Sequence, residues 1–438
     1  FAGSMTLGTA EGGSGGIIVR GATAILERSE LTIETGDLVL GNGGTGTLAL
    51  LEGGALRTAG DFIVGADGLL ASFVVDGEQN NVTSGMAVAG HLRLGMGADV
   101  VQGAFDNGGT GAAGTATIGD GGPGLLIISN SGRFVAMSNE EETHFGILTV
   151  GNAATGEIVV ESGGELQADS IHLGSGGTGV GTLTLRNAMA VASRLGVSVG
   201  DGGDSANLTL EGASTVRSAS LFLVGASGGA AAVTLTGNSS DAPAQLIADE
   251  LLGIGLAATE ATVTLIRHAT VNANEIIVGG LAPGLLAILE DSVVTAPTTT
   301  VRAEGLLIGD VTLPEKQSKG ADSPNLVGDL IVEEGGSVRV RAGSTPAIRV
   351  SGNATLGGTL EVEFADEAGL AAGNTLRLLR VDGATTGEFA EVSFPTRSAE
   401  FDGDITVVDG ELVLAVNNPG TPLGGEGEGE GEGEGEGE

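Results

Sequence analysis

The sequence predicts an all-β chain: a right-handed parallel β-solenoid of irregular coils about 24 residues long, with a β-rich C-terminal cap and a disordered tail. Three observations predict it. A short apolar segment ending in Gly recurs along the chain. Alternating strands follow Gly-rich turns between those segments. The composition, 81 Gly with 41% hydrophobic residues but only 11 Phe and no Tyr or Trp, suits many short strands joined by tight turns.

The recurring segment reads LVLG at Leu38 to Gly41 and FIVG ending at Gly65. It continues as LRLG to Gly95, ATIG to Gly119, LTVG to Gly151, IHLG to Gly174, VSVG to Gly200 and FLVG to Gly225. LGIG then ends at Gly255, IIVG at Gly279 and LLIG at Gly309. Successive glycines are 24, 30, 24, 32, 23, 26, 25, 30, 24 and 30 residues apart, so the longer units carry insertions. These follow Gly65, Gly119, Gly225 and Gly279, and binding loops are expected there.

Each unit repeats internally as well. A Gly-rich turn such as Gly41-Asn-Gly-Gly-Thr-Gly46 leads into an alternating strand such as Thr47-Leu-Ala-Leu50 or Thr182-Leu-Thr-Leu185. A second turn, Glu52-Gly-Gly54 or Glu161-Ser-Gly-Gly164, precedes a last short apolar stretch. A unit therefore holds three β segments and three turns. Alternation with Thr, Val and Leu is a strand pattern, and Gly supplies the positive φ that sharp corners require. One unit cannot bury its apolar residues alone; stacked on its neighbours it can. A dozen or so coils at the strand spacing give a rod of about 60 Å. Leu40, Leu48, Leu50, Leu56 and Val64 and their repeats should face inward. A 24-residue unit is too short for a propeller blade, and the right-handed coil follows from the handedness of parallel β connections.

The expected organisation is a solenoid over 1–310, a polar loop over 311–325 holding Lys316 and Lys319, and a solenoid end and cap over 326–417. A Gly-Glu linker over 418–438 completes it. Its glutamates repel and have no apolar partner, so it should be extended. Phe1 opens without a Met or leader, which reads as a processed product or an excised fragment, with an anchor or flanking module beyond the C-terminus.

The net charge of -38, with 18 Lys and Arg, excludes a basic groove for nucleic acid. Zero Cys excludes disulfides and thiolate metal sites. No segment has the length of a transmembrane helix, so no direct membrane insertion is expected.

The units LGNGGTGTLALLEGGAL, VGNAATGEIVVESGGEL and LGSGGTGVGTLTL resemble repeats of autotransporter passengers and related large exported bacterial proteins. The stretch GGTLEVEFADEAGLAAGNTLRLLRVDGATTGEFAEVSFP, with GELVLAV after it, is similar to the end of the repeat region in such proteins, often seen with a PEP-CTERM-type sorting signal. The resemblance covers nearly all of residues 30 to 416. It implies a β-helix, export to the cell surface or beyond, and a structural or adhesive role without catalytic residues.

The enzymatic alternative is a polysaccharide lyase or glycoside hydrolase of β-helix type. It needs converging carboxylates, or a base with cations. Acidic neighbours exist at Glu140, Glu141 and Glu142, at Asp201 and Asp204, and at Glu333 and Glu334. With 56 acidic residues such adjacency is expected by chance, and solvated turns are the simpler reading. Arg57, Arg93, Arg133, Arg186, Arg217 and Arg267 are scattered about one per coil. Arg339 and Arg341 share a strand face with Arg349 nearby, where pairing with local Glu outweighs anion binding. Without Trp or Tyr, a sugar cleft lacks its usual stacking surfaces. His91, His144, His172 and His268 lie in different units, His91 and His172 near the same repeat position, and none has zinc spacing. The acidic turns Gly200-Asp-Gly-Gly-Asp204 and Gly119-Asp-Gly-Gly122 do not recur in tandem as calcium repeats do.

No catalytic residue, cofactor or metal ligand is therefore assigned. The expected function is that of a non-enzymatic extracellular or cell-surface rod, a passenger or stalk. Its expected partners are host, matrix or neighbouring cell-surface glycans or proteins.

Overall fold

The computed structural model describes residues 3–9, 13–20, 29–67, 70–77, 84–97, 99–137, 145–257, 259–310, 325–364 and 370–423. Every element in it is a β-strand. One coil shows how the sequence builds the fold. Glu30–Ile33, Leu38–Leu40 and Thr45–Leu51 form three sides of a turn of the solenoid. Each then pairs in parallel with its counterpart in the next coil: Ala55–Thr58, Phe62–Val64 and Ala71–Asp76. We call these three sides faces one, two and three.

Face three is a sheet of 15 strands, from Ser14–Arg20 to Glu391–Ser393. At the usual strand separation this stack is about 70 Å tall. Faces one and two join in a 23-stranded sheet, because strands such as Gly85–Leu94 and Glu165–Ser175 bend round the corner between them. Leu40, Leu48, Leu50, Leu56 and Val64 are all buried, as the alternation requires. In-register pairing places each inward side chain over its counterpart one coil away. The apolar residues therefore form continuous columns instead of separate clusters.

The recurrent glycine has a geometric cause. Gly41, Gly65, Gly95 and Gly119 bend the chain from face two towards face three with φ of 69°, 75°, 76° and 80°. Space is also short there: a Cβ on Gly119 would lie 2.6 Å from the backbone of the next coil. Gly309 does not belong to this series. The face-two segment of its coil is Thr299 to Val301, paired with Ile276 to Val278, and Arg302 stands where the glycine would be. The LLIG segment lies in Gly305–Asp310 on face three, where Ile288 pairs with Gly309. The repeat misleads here because an apolar run ending in Gly carries no mark of its face. Length is consequently added not after Gly279 but at 311–324, outside the described residues. Pro297 is accommodated in Val293–Val301 by a register shift between Thr295 and Thr298.

Phe62, Phe73, Phe105 and Phe134 stack through the early coils with ring centroids 5.4, 5.5 and 5.4 Å apart. Two glycines make room for them. A Cβ on Gly103 would lie 2.3 Å from the Phe73 ring, and one on Gly111 would lie 2.3 Å from Phe105.

At the C-terminal end the topology changes. Thr375–Val381 pairs in parallel with Ile348–Val350 but antiparallel with Glu411–Asn418, which in turn pairs antiparallel with Asp402–Val408. Phe364, Phe394 and Phe401 cluster beside this hairpin. The buried guanidinium of Arg397 lies 5.1 Å from the Phe364 ring centre, a cation–π contact. The chain stays tied down past Asn418: Ser398 N–H donates to the Thr421 carbonyl and Leu423 N–H to that of Thr396. The Gly-Glu run 424–438 lies outside the described residues.

Overpacking a full core costs about 1–3 kcal/mol. Gly103→Ala and Gly111→Ala should each lose about that much in urea unfolding. Phe73→Leu should recover part of the Gly103→Ala loss, because it removes the atoms the new methyl meets.

Candidate functional site

In-register stacking brings outward polar side chains within reach of the neighbouring coils, and most of the chemistry-bearing residues are engaged in this way. At the corner between faces one and two, side chains cap backbone N–H groups one coil on. Ser4 Oγ accepts from Asp37 N–H at 3.1 Å, Asp37 from Asp61 at 2.8 Å, and Asp61 from His91 at 2.9 Å. The pattern returns where Asp329 accepts from Asn353 at 2.7 Å and Asn353 from Ala384 at 3.0 Å. Such caps satisfy corner N–H groups that no strand partner reaches.

The arginines behave similarly. Arg186 lies between Glu161 at 3.9 Å and Glu211 at 3.0 Å, one coil to either side. Arg133 meets Glu165, Arg217 meets Asp249 and Arg302 meets Glu333. Arg339 and Arg349, expected as a cluster, go to separate carboxylates: Glu361 at 2.7 Å and Asp382 at 2.8 Å. Arg349 and Arg380 together hold the Asp382 carboxyl below its usual range.

Three histidines are described; His144 and Glu140, Glu141 and Glu142 lie outside. His91 and His172 are not equivalent in the repeat. His91 aligns with Thr115, in the column that continues to Ser170, whereas His172 aligns with Thr149 and Ser198. The sequence spacing already separates them, His91 standing four residues before Gly95 and His172 two before Gly174. His91 Nε2 lies 2.7 Å from Thr117 Oγ1. His268 pairs with Asp291, whose other oxygen accepts from the His268 N–H. Beside it, burial raises the Glu290 carboxyl above its usual value.

The arrangement around His172 went unseen in the sequence. Ser170 Oγ lies 2.8 Å from His172 Nε2, and His172 Nδ1 lies 2.7 Å from Asp201 Oδ2 in the next coil. This hydrogen bond from His172 is the main reason the Asp201 carboxyl is held low. The order of groups is that of a nucleophile, a base and an orienting acid. The nucleophile position fails, however. Ser170 is 3% exposed, and Gly196 O lies 3.3 Å from its hydroxyl. No acyl carbon can approach it, so the three groups tie two coils together. A Ser-x-His on one strand with an Asp a coil later was the available signal, readable only once the register is known.

The acidic turn at Asp201 is thus used by His172 and Ser227. That at Asp120 is used by Asn152 and Arg93. Among the described residues no group of three or more His, Asp or Glu is spaced to hold a metal ion.

Beside an open recess of about 220 Å³ that holds Glu304, Ser337 and Glu361, the last paired with Arg339, two surface features remain. A cleft of about 380 Å³ lies between the last coil and the cap, lined by Leu356, Phe389, Val392, Ile405, Val407 and Leu412 among others. Glu388 is the single ionisable residue on its wall, so it offers neither a carboxylate pair nor a base with a cation. The longer connections form the second feature. Residues 21–29, 77–84, 237–244, 311–324 and 365–374 all join a face-three strand to a face-one strand, where other coils use short turns such as 52–54. These connections therefore begin and end at one corner of the solenoid, whereas 137–146 begins and ends between faces one and two.

No family model matches the chain. It is similar to the uncharacterized lipoprotein YdeK of Escherichia coli (strain K12), with 26% identity over 196 residues, 44% of this chain and 14% of that protein. The chain thus matches only a small part of that relative's length. A crystal structure of a TibC-catalyzed hyper-glycosylated TibA55-350 fragment aligns over 90% of this chain and all of that one, at 15% identity and a TM-score of 0.32.

Burial, and next Arg93, hold the His91 imidazole below its usual 6.5, while Asp61 and Asp120 pull the other way. The unfolded chain therefore takes up this proton first as pH falls. The contribution of His91 to stability is complete above about 6.5 and declines below it. The melting temperature of the native chain should fall more steeply from pH 7 to pH 5 than that of His91→Gln. Parallel slopes would contradict this assignment.

Proposed function

We propose that the chain is a non-enzymatic, secreted or cell-surface β-solenoid rod with a structural or adhesive role, a passenger or stalk segment of a larger exported protein. One observation carries the reading: the groups that could do chemistry are engaged between coils. His172, Asp201 and Ser170 form one inter-coil tie, and Arg186, Arg217, Arg339 and Arg349 form others. A stack held by ladders on its corners and apolar columns inside is suited to a stiff spacer. The name of the lipoprotein relative favours a surface location. Glycans or proteins of the host, the matrix or a neighbouring cell would be met at the corner that carries the longer connections, as repeat proteins place recognition on the loops of one side.

The test has two arms. Acidic and neutral polysaccharides incubated with the purified chain should yield no new reducing ends and no unsaturated uronate. Turnover that Ser170→Ala or a cleft variant abolishes would overturn the non-enzymatic reading. Replacing residues 237–244 with a three-residue turn should leave the melting temperature within a few degrees and weaken retention on immobilised matrix glycans or proteins. Unchanged retention would remove that corner from the recognition surface.

A further inference from the structure

Face three carries a second pattern, on its outer side. Register pairing defines a column of outward residues, one per coil: Ile18, Ala49, Val74, Ala104, Ile127 and Val159, then Thr184, Thr209, Thr234, Thr264, Ala287 and Ile308. The column two residues earlier runs from Gly16 through Leu125, Glu157, Thr182, Asn207, Ala232 and Thr262 to Leu285 and Leu306. Glu157 is the one ionisable residue in both columns over that span, in a chain of net charge -38. The columns meet charge only beyond it, where Ile308 pairs with Arg339. The same strands send charge to the rim instead, with Asp76, Asp106, Glu161, Arg186 and Glu211 one further outward position along. Leu125, Ile127, Val159, Leu285, Leu306 and Ile308 are half-buried, as are Thr209, Thr234 and Thr264 between them, while Thr184 and Ala287 are buried at 8% and 6% exposure.

The order along these columns is close to palindromic. Four consecutive coils of Thr184, Thr209, Thr234 and Thr264 sit in the middle. On one side lie Leu125, Ile127 and Val159; on the other lie Leu285, Ala287, Leu306 and Ile308. A two-fold axis along the strands, between Thr209 and Thr234, would bring two copies face to face with their rods antiparallel. Ile127 then meets Ile308 of the second copy, Leu125 meets Leu306, Val159 meets Ala287, and Thr184 meets Thr264. Such a patch is self-complementary, as an isologous interface requires.

We infer that the outer surface of face three, between Leu125 and Ile308, is the site at which a second copy of this chain docks, antiparallel and in this register. The patch spans eight of the 15 strands, about 40 Å by about 12 Å at the usual strand spacing. Face to face this removes about 1,000 Å² in total, the lower bound for a specific interface. The dimer therefore dissociates on dilution through the micromolar range. Glu157 opposes Leu285 and weakens it. The inference does not depend on the reading as a surface rod.

The chain has no cysteine, so introduced thiols report cleanly. Ile127→Cys and Ile308→Cys, made separately and mixed under mild oxidation, should give a disulfide between the two variants and little within either alone. Within one chain the two positions are seven strand spacings apart, about 34 Å, beyond any disulfide. Sedimentation of the unmodified chain should show monomer and dimer. Glu157→Gln should lower the dissociation constant about two- to fivefold, and Leu306→Arg should leave monomer. A disulfide between two copies of Ile127→Cys, in preference to the mixed product, would overturn the antiparallel register. A monomer at every concentration, or a dimer unaffected by Leu306→Arg, would overturn the interface itself.

Discussion

Parallel strands stacked in register, one coil upon the next, are the constraint from which the rest of this molecule follows. Once Leu38 pairs with Phe62 and Thr47 with Ser72, every position along the chain is fixed relative to a position about one unit away. Inward residues become apolar columns, corner residues become capping ladders and outward residues become stripes. A charged residue is then no longer a local event. Arg186 lies where it meets carboxylates of the coils before and after it. His172 reaches an Asp far away in sequence because one coil spans that distance.

The same constraint explains the glycine content. Bending from face two towards face three calls for positive φ at Gly41 and its repeats. Close stacking leaves no room there for a Cβ. Where the bend is made differently, as at Arg302, the glycine is absent. Gly103 and Gly111 are there for another reason. They stand against phenylalanine rings that are too large for a column otherwise built of Leu, Ile and Val.

Much of the fold was legible in the sequence because a repeat states one answer many times. The inward residues, the three segments per unit and the turn glycines could all be read from a few units. The position of LLIG could not, because the apolar alternation of face three and that of face two look alike. Contacts at right angles to the chain were also illegible. The tie between Ser170, His172 and Asp201, the caps from Asp37 to His91 and the palindrome on face three exist only between coils. Reading them needs the number of residues each corner absorbs. A cap was expected at this end, but its antiparallel return was not, since nothing in the residues of Glu411–Asn418 marks the direction in which it pairs.

In-register stacking is tested most directly by distances along one outward column. Pairs of spin labels on cysteines at Ala49 and each of Ala104, Val159, Thr209 and Thr264, diluted with unlabelled chain, sample increasing numbers of coils on face three. Stacking predicts separations that grow linearly, by about 4.8 Å per coil, from Ala104 to Thr264. Distances that plateau, or that scatter without regard to coil number, would contradict it.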